Sequence, residues 1–352
     1  MKKRKAAHLL ERTVIFHADH RFRWNGCGGI SGTGDALVAS WYTGGDTEPA
    51  PENQVVWSRS LDGGHTWSPP EVIADPPGLV RAGDPVLWRD DDGIVNITYG
   101  INDMRLDAGD WTFVRHTCAD PAAPQLVWSA PQEIAGPDIG DFFFNNKPIR
   151  LDNGEWLIPV TVRTQPSRGR PYHEGFYAVG ALVSPDAGTT WKGYKSADFE
   201  KSGYGPKDIC VHEAGAFQRE DGTVVILVRN SWGLLHATES SDRGRTWSEF
   251  YPTAIANPST RFHVRKLPQG PVICLNNPNA SLIGNGRDRR SPLAMHVSYD
   301  DGHTFERIVI LDVYGHTMYP DAELDPDGSR LHLLYENRKD VFYASLELAE
   351  VL

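Results

Sequence analysis

A glutamate and an arginine stand at opposite ends of one hairpin-like stretch of this 352-residue chain. The stretch reads His212-Glu213-Ala-Gly-Ala-Phe-Gln-Arg-Glu-Asp-Gly-Thr-Val-Val-Ile-Leu-Val-Arg229. An Asp-Gly turn between two apolar runs predicts a β-hairpin, so Glu213 and Arg229 flank the same hairpin. Glutamate is a common general base and arginine a common carboxylate ligand, which makes the stretch a candidate site. The alternative is that both are exposed residues at strand ends.

Other residue types narrow the chemistry that the chain performs. The thirteen histidines show no His-x-x-x-His or His-Glu-x-x-His spacing, which argues against a zinc enzyme. The four cysteines are widely spaced and lack Cys-x-x-Cys pairs, so neither a zinc site nor a dense disulfide framework is expected. A net charge of −11 leaves no basic surface for nucleic acid. We therefore predict no metal and no nucleic-acid partner.

One phrase, Ser-x-Asp-x-Gly-x-Thr followed by Trp or Phe, occurs four times, at residues 60–67, 184–191, 240–247 and 298–305. Its aspartates are 124, 56 and 58 residues apart. The first gap spans two of the later ones, so one repeat has lost its phrase, and a period of roughly 60 residues gives about six units.

The repeated phrase is turn chemistry at the end of an alternating apolar run. Its Asp accepts hydrogen bonds from backbone N–H groups, its Gly supplies a positive φ, and its aromatic residue packs between sheets. Helical periodicity is almost absent from the chain. We predict an all-β fold, a six-bladed β-propeller with antiparallel four-stranded blades, as a single domain over residues 1–352.

The repeated phrase is the Asp-box, and the chain resembles the sialidase (neuraminidase) superfamily over nearly its whole length. The stretch from His212 to Arg229 resembles a family segment in which a Glu, an apolar strand, an Asp-Gly turn, a second apolar strand and an Arg precede an Asp-box. The resemblance implies that Glu213 is the base beside a tyrosine nucleophile. It also implies that Arg229 is the second of three arginines that bind the substrate carboxylate.

Two later stretches resemble the rest of the family pattern. Arg290, which leads into the fourth Asp-box, resembles the third arginine, with Arg287 and Arg289 as nearby competitors. A Tyr-Pro-Asp segment resembles the family's Tyr-Ser-Asp, which implies that Tyr319 is the nucleophile. A Leu-Tyr-Glu segment ends at Glu336, and the resemblance implies that this glutamate orients the first arginine.

The N-terminal part departs furthest from the family. A Phe-Arg-Trp-Asn segment stands where sialidases carry Phe-Arg-Ile-Pro, so Arg23 is implied to be the first arginine, with Arg21 as the alternative. Asp46 follows a Gly-Gly pair and matches the place of the acid/base aspartate. Glu48 and Glu52 are its rivals.

The resemblance also implies a substrate and a reaction. Asp84, in an Asp-Pro segment, resembles a residue that lines the family's pocket. The implied function is an exo-acting, retaining glycoside hydrolase that removes a terminal acidic, sialic-acid-like sugar from a glycan or glycoconjugate and needs no cofactor. A carboxylate at the anomeric carbon would repel a carboxylate nucleophile, whereas a neutral tyrosine avoids that repulsion.

Two other functions stay open at this point. Some Asp-box propellers are lyases or glycosidases that act on uronic-acid glycans with His, Tyr and Arg, and His212 and His316 fit that pattern. Others bind glycans without catalysis. The basic N-terminus is followed by a stretch too short and polar for a signal peptide, and no run reaches the ~20 apolar residues of a membrane span. We expect a cytoplasmic protein, or a secreted one if a leader was removed.

Overall fold

The computed structural model describes residues 4–104, 111–136, 138–164, 176–196, 211–279 and 290–352. Its secondary structure consists of twenty-six strands and one short helix in these ranges. They are β1 (Arg4–Ala7), β2 (Arg12–His17), β3 (Asn25–Thr33), β4 (Ala36–Thr43), β5 (Gln54–Ser60), β6 (Glu71–Ala74), β7 (Val80–Arg89), β8 (Val95–Asp103), β9 (Trp111–Cys118), β10 (Gln132–Ile134), β11 (Phe142–Phe143), β12 (Ile149–Arg150), β13 (Trp156–Arg163), β14 (Phe176–Ser184), β15 (Lys192–Lys195), β16 (His212–Gln218), β17 (Val224–Arg229), β18 (Leu234–Ser240), β19 (Tyr251–Ala256), β20 (His263–Lys266), β21 (Val272–Asn276), β22 (Leu293–Ser298), β23 (Arg307–Asp312), β24 (Met318–Leu324), β25 (Arg330–Glu336), β26 (Asp340–Glu347) and α1 (Leu348–Val351). Within the described ranges, no helix has the length and apolar character needed to cross a membrane.

The strands form six sheets, each built on four antiparallel strands. Their orders are β3-β4-β5-β6, β7-β8-β9-β10, β11/β12-β13-β14-β15, β16-β17-β18-β19, β20-β21-β22-β23-β1 and β24-β25-β26-β2. Strand β1 adds in parallel to β23, and β2 pairs antiparallel with β26. The predicted fold class, an all-β six-bladed β-propeller with four-stranded antiparallel blades, is confirmed.

The chain divides into two compact units of three sheets each. The first unit contains β1 and β11–β23, and the second contains β2–β10 and β24–β26. The boundary between them falls inside β24, whose first residue, Met318, belongs to the first unit. The prediction of one domain over residues 1–352 stays a prediction.

Within each unit, successive sheets pack face to face through aliphatic and aromatic side chains. In the first unit, Leu157 and Val179 of one sheet meet Ala216 and Ile226 of the next. In the second unit, Ile30 and Trp41 pack against Leu334. Alternating strands place one row of side chains in each of these layers, which explains the alternating apolar runs in the sequence.

The four Asp-boxes connect the third and fourth strands of their sheets and share one hydrogen-bond pattern. In the first, Asp62 Oδ1 accepts from the Thr66 backbone N–H at 2.8 Å, and Asp62 Oδ2 accepts from the Thr66 hydroxyl at 2.6 Å. Ser60 Oγ accepts from the Gly64 N–H at 2.8 Å. The two bonds from Thr66, led by the one from its hydroxyl, and the bond from the Ser60 hydroxyl lower the pKa of Asp62 to about 2. The Asp-box is therefore a closed turn, as predicted.

The glycines of the first and fourth Asp-boxes also let these turns approach the neighbouring sheet of the same unit. A Cβ on Gly64 would lie 2.1 Å from the Tyr343 ring, and a Cβ on Gly302 would lie 2.4 Å from the Phe217 ring. The aromatic residue of the box packs on the same sheet, since the Trp67 and Tyr343 ring centroids are 5.5 Å apart. These two Asp-boxes thus hold neighbouring sheets of one unit together.

The repeat that lost its phrase lies between β9 and β10. Asp120 remains there and accepts from the Ala122 backbone N–H at 2.9 Å. Arg59 of the preceding sheet donates to the carbonyl groups of Ala123 at 2.5 Å and Pro124 at 3.2 Å. In this turn, the guanidinium of Arg59, bound to backbone carbonyls, connects the turn to the preceding sheet, as the close approach of Gly64 or Gly302 does elsewhere.

Candidate active site

We call the strands at one edge of the six sheets, β3, β7, β11/β12, β16, β20 and β24, the inner strands. Four of them, β3, β7, β16 and β24, each hold one non-glycine residue in the left-handed backbone region. These residues are Cys27 (φ 47°), Asp84 (φ 52°), Glu213 (φ 49°) and Tyr319 (φ 52°). In β3, β7 and β16 the pairing register shifts at this residue, which identifies a β-bulge. Bulges and strained backbone concentrate at functional sites because they redirect a side chain out of the regular alternation. Three of the four residues are predicted site residues.

The sequence contains local reasons for these bulges. Pro85 follows Asp84 inside β7, and a proline inside a strand is confined to edges and bulges because it cannot donate to the ladder. Cys27 lies in a Gly-Cys-Gly-Gly run, and a Cβ on Gly29 would lie 3.0 Å from the backbone nitrogen of Leu87. Glycine inside a strand pattern indicates a bulge or a close backbone approach. Cys27 was missed by sequence reasoning although this signal was present.

The hairpin β16–β17 brings Glu213 and Arg229 into direct contact. Arg229 Nη1 donates to Glu213 Oε2 at 2.5 Å, and the Glu213 side chain is only 7% exposed. Glu213 is the extra residue of the bulge, since His212 pairs with Arg229 and Ala214 with Val228. The bulge therefore turns the carboxylate toward the arginine at the end of the second strand.

The charge of Glu213 follows from two opposing effects. Burial on its own would raise the pKa of the carboxyl group. The positive charge and hydrogen bond of Arg229, with smaller contributions from His212 and Arg290, outweigh burial and hold the pKa below its ordinary value. Glu213 is therefore an ionised carboxylate at neutral pH, which is the form that accepts a proton.

A turn between β19 and β20 links Arg229 to Arg290. Arg229 Nε donates to Ser259 Oγ at 3.3 Å, and Arg290 Nη2 donates to the Ser259 carbonyl oxygen at 3.0 Å. Ser259 has a φ of 57°, and Asn257 Oδ1 holds the turn by accepting from the Thr260 N–H at 2.9 Å. The first unit therefore brings together three predicted residues, Glu213, Arg229 and Arg290. We call these three and Ser259 the Glu213 cluster.

Ser259 was not a predicted site residue. The Asn-Pro-Ser-Thr sequence marks a turn, but nothing in it indicates contacts with two arginines from other strands. The competing arginines Arg287 and Arg289 lie outside the described residues.

Tyr319 lies on β24 in the second unit and is buried. Two residues later, Asp321 Oδ2 accepts from the backbone N–H of Ile30 at 2.9 Å, which fixes β24 against β3. Strand β3 in turn packs against β7, which carries the buried Asp84. Three adjacent inner strands therefore carry Tyr319, Cys27 and Asp84 at their left-handed positions.

Arg23 and Asp46 form an ion pair in the second unit. Arg23 Nε lies 3.0 Å from Asp46 Oδ1, and both side chains are largely exposed, at 52% and 75%. Arg21 instead lies over the ring of Phe22, 4.6 Å from its centroid. The structure thus brings together the predicted first arginine and the predicted acid, but as a pair that is exposed to solvent.

Glu336 is buried at the end of β25 and holds the turn that follows. Its Oε2 accepts a hydrogen bond from the backbone N–H of Arg338, and the carbonyl oxygen of Arg338 accepts one from the Asn25 N–H at 3.0 Å. Lys339 Nζ donates to the carbonyl oxygen of Arg23 at 3.0 Å. Glu336 is therefore connected to the Arg23 segment through a backbone turn.

The candidate site residues can form ion pairs and hydrogen bonds with a ligand. No group of three His, Cys, Asp or Glu side chains suited to a metal ion occurs in the part of the chain that the structure describes. The Glu213 cluster presents two guanidinium groups beside one ionised carboxylate. Guanidinium groups bind carboxylates through paired, charge-assisted hydrogen bonds, so this cluster is suited to an anionic ligand and to proton transfer.

Comparison with known proteins gives the same fold. The chain matches a protein of unknown function from Dyadobacter fermentans at a TM-score of 0.73 and 17% identity, over 97% of this chain and 98% of that one. It matches a Hadza microbial sialidase at 0.75 and 17%, over 97% and 69%. It matches a Trypanosoma rangeli sialidase in complex with sialic acid at 0.70 and 17%, over 97% and 59%. No curated protein matches the sequence.

The family comparison covers most of the chain. The BNR repeat-like domain matches residues 35–333, a range that includes all four Asp-boxes and parts of both compact units. The structural matches to sialidases agree with it in fold. The chain therefore belongs to the BNR repeat-like domain family and is a sialidase-like six-bladed propeller.

Proposed function

We propose that the protein is an exo-acting, retaining glycoside hydrolase of sialidase type that removes a terminal acidic sugar. The observation that carries this proposal is the Glu213 cluster, in which a buried carboxylate adjoins two arginines linked through Ser259. A cluster of this composition binds an anionic group and keeps a base ionised. Sialidases among the structural matches share the fold, which supports the substrate class.

The proposed roles follow the chemistry of each group. Tyr319 is the nucleophile that attacks the anomeric carbon, and Glu213 is the base that accepts the hydroxyl proton. Arg23, Arg229 and Arg290 bind the substrate carboxylate, Glu336 orients the Arg23 segment, and Asp84 lines the site. Asp46 protonates the leaving oxygen as general acid, for which it must separate from Arg23. Asp46 then takes a proton from the water that displaces the sugar from Tyr319, and Glu213 returns its proton to the tyrosine oxygen.

The test is release of an acidic monosaccharide from a panel of glycosides. The wild type should release sialic acid or a related nonulosonic acid from an aryl glycoside, with retention at the anomeric carbon by NMR. Tyr319→Phe should lower kcat by at least about 10³-fold because the covalent intermediate cannot form. Circular dichroism and thermal unfolding should show an intact fold. Wild-type turnover in Tyr319→Phe would refute the tyrosine mechanism.

A second candidate function is non-catalytic glycan binding, and one observation favours it. The carboxylate of Asp46, the proposed acid, is paired with Arg23 in an open position. Under this alternative, acidic glycans bind the wild type in calorimetry, but mass spectrometry detects no product from any glycoside. A lyase acting on uronic-acid glycans would instead give an unsaturated product that absorbs in the ultraviolet.

A further inference from the structure

A buried asparagine with unmet hydrogen bonds lies in the sheet next to the Glu213 cluster. Asn145 is fully buried, at 0% exposure. Neither its Nδ2 nor its Oδ1 has a hydrogen-bond partner among the described residues. Buried polar side chains in folded proteins almost always have partners, and an exception calls for an explanation. Burying an amide in this way destabilises the unliganded fold.

The neighbours of Asn145 connect it to the Glu213 cluster. The next residue, Asn146, donates from Nδ2 to the carbonyl oxygen of Ala214 at 2.9 Å, and Ala214 directly follows Glu213. Arg261 Nε lies 3.5 Å from Asn146 Oδ1, and Arg261 follows Ser259 by two residues. Asn145 is therefore one residue away from contacts that lead to Glu213 on one side and to Ser259 on the other.

The backbone at Asn145 is outside regular strand pairing, as the backbone at Glu213 is. Both β11 and β12 pair with β13, with Phe143 opposite Thr161 and Ile149 opposite Leu157. Residues 144–148 therefore lie opposite only residues 158–160, so the inner strand is interrupted here. An interruption frees side chains from the regular alternation of a strand. Asn145 thus lies in a gap between two short strands, whereas Glu213 in the following sheet is a one-residue bulge inside a continuous strand, and both positions are outside regular strand pairing.

We propose that Asn145 binds a neutral polar substituent, a hydroxyl or acylamino group, of the acidic sugar that the Glu213 cluster holds. This inference rests on the proposed function. A side-chain amide offers both a donor and an acceptor, and a hydroxyl or an amide uses both, whereas a carboxylate uses only the donor and an apolar group neither. The cluster would select the charge of the sugar, and Asn145 would select its neutral substituents.

The test replaces Asn145 with leucine, which has a similar volume and no polar atoms. The ligand probes are free N-acetylneuraminic acid and analogues that each lack one hydroxyl or the N-acyl group. Asn145→Leu should raise the melting temperature of the unliganded protein by about 2–4 °C, because an unfavourable buried amide is removed. The same variant should bind the parent sugar at least about tenfold more weakly in calorimetry. One analogue should bind wild type and variant equally.

Asn53 provides a matched control. It is also buried, but Oδ1 accepts from the Ala50 N–H at 2.8 Å and Nδ2 donates to the Gly44 carbonyl at 2.8 Å. Asn53→Leu should therefore lower the melting temperature, opposite to Asn145→Leu.

The outcomes separate this inference from the proposed function. If Asn145→Leu lowers the melting temperature as Asn53→Leu does, Asn145 has structural partners and the inference is wrong. If the variant is stabilised but binds every probe like the wild type, the inference is also wrong, while the proposed function stands. If the wild type binds no acidic sugar, the proposed function fails and this inference fails with it.

Discussion

The Glu213–Arg229 pair is the interaction on which most of the site depends, because it is buried and joins both strands of one hairpin. Arg229→Ala would leave a buried carboxylate without its main partner. We expect a loss of about 3–5 kcal/mol in the free energy of unfolding, measured with urea. Glu213→Gln should lose less, because an amide is cheaper to bury than an unpaired charge.

The double variant tests whether the pair acts as a unit. Arg229→Ala combined with Glu213→Gln should be more stable than Arg229→Ala alone, since the unpaired charge is gone. Strictly additive losses in the double-mutant cycle would show that the two side chains do not interact.

The pH dependence of stability follows from the same pair. The folded pKa of Glu213 lies below the ordinary value of 4.5, so its contribution is present above pH 4.5 and is lost as the pH falls further. In Arg229→Ala, burial dominates and raises the pKa, so stability should instead fall as the pH rises above 4.5. Urea unfolding at a series of pH values measures both slopes against a Glu213→Gln control. Parallel curves for the three proteins would contradict the assignment.

At the scale of the element, the Asp-box turn owes its fit to glycine for two separable reasons. Gly302 has a φ of 83° and its position faces the ring of Phe217. Gly93 has nearly the same φ, 81°, but a Cβ there would meet nothing within 4 Å. Gly93→Ala therefore reports backbone strain alone, and Gly302→Ala reports strain plus the clash with the neighbouring sheet.

We expect Gly93→Ala to lose about 1–2 kcal/mol and Gly302→Ala to lose about 1–3 kcal/mol more. Thermal and urea unfolding of the two variants give the comparison. Equal losses would mean that the fourth Asp-box does not hold the two sheets together.

At the scale of the whole molecule, the two N-terminal strands contribute differently. Strand β2 is the fourth strand of the sheet β24–β26, whereas β1 is a fifth strand added to β23. Deleting residues 1–17 should expose the edge of β26, lower the melting temperature and promote aggregation. Deleting residues 1–8 removes only β1 and should have a smaller effect. Calorimetry and size-exclusion chromatography measure both. Equal behaviour would show that β2 is dispensable.

The sequence predicts what is local and periodic. The Asp-box turns are predictable because all of their chemistry lies within eight residues. Their spacing along the chain gives a period, and the period gives the number of sheets. Glu213 and Arg229 are predictable as a pair because one hairpin joins them. Ser259 is not, since its contacts join arginines from different sheets. The burial of Asn145 without hydrogen-bond partners among the described residues is also not predictable, since it depends on how neighbouring sheets pack. The Arg23–Asp46 pair joins two separate loops, which no spacing rule connects.

The left-handed backbone at Cys27, Asp84, Glu213 and Tyr319 has a consequence for how the protein tolerates change. Glycine adopts this conformation without the penalty that a side chain brings, about 1–2 kcal/mol at each position. At Glu213 and Tyr319, however, glycine would also remove a buried ion-pair partner or a buried ring, and that loss exceeds the strain it relieves. Variants selected only for resistance to heat should therefore accept glycine at Cys27, the smallest of the four side chains, and reject it at Glu213 and Tyr319. Variants selected for turnover should reject it wherever the side chain acts on the substrate. A position that accepts glycine under heat selection but rejects it under selection for turnover is one whose side chain acts on the substrate.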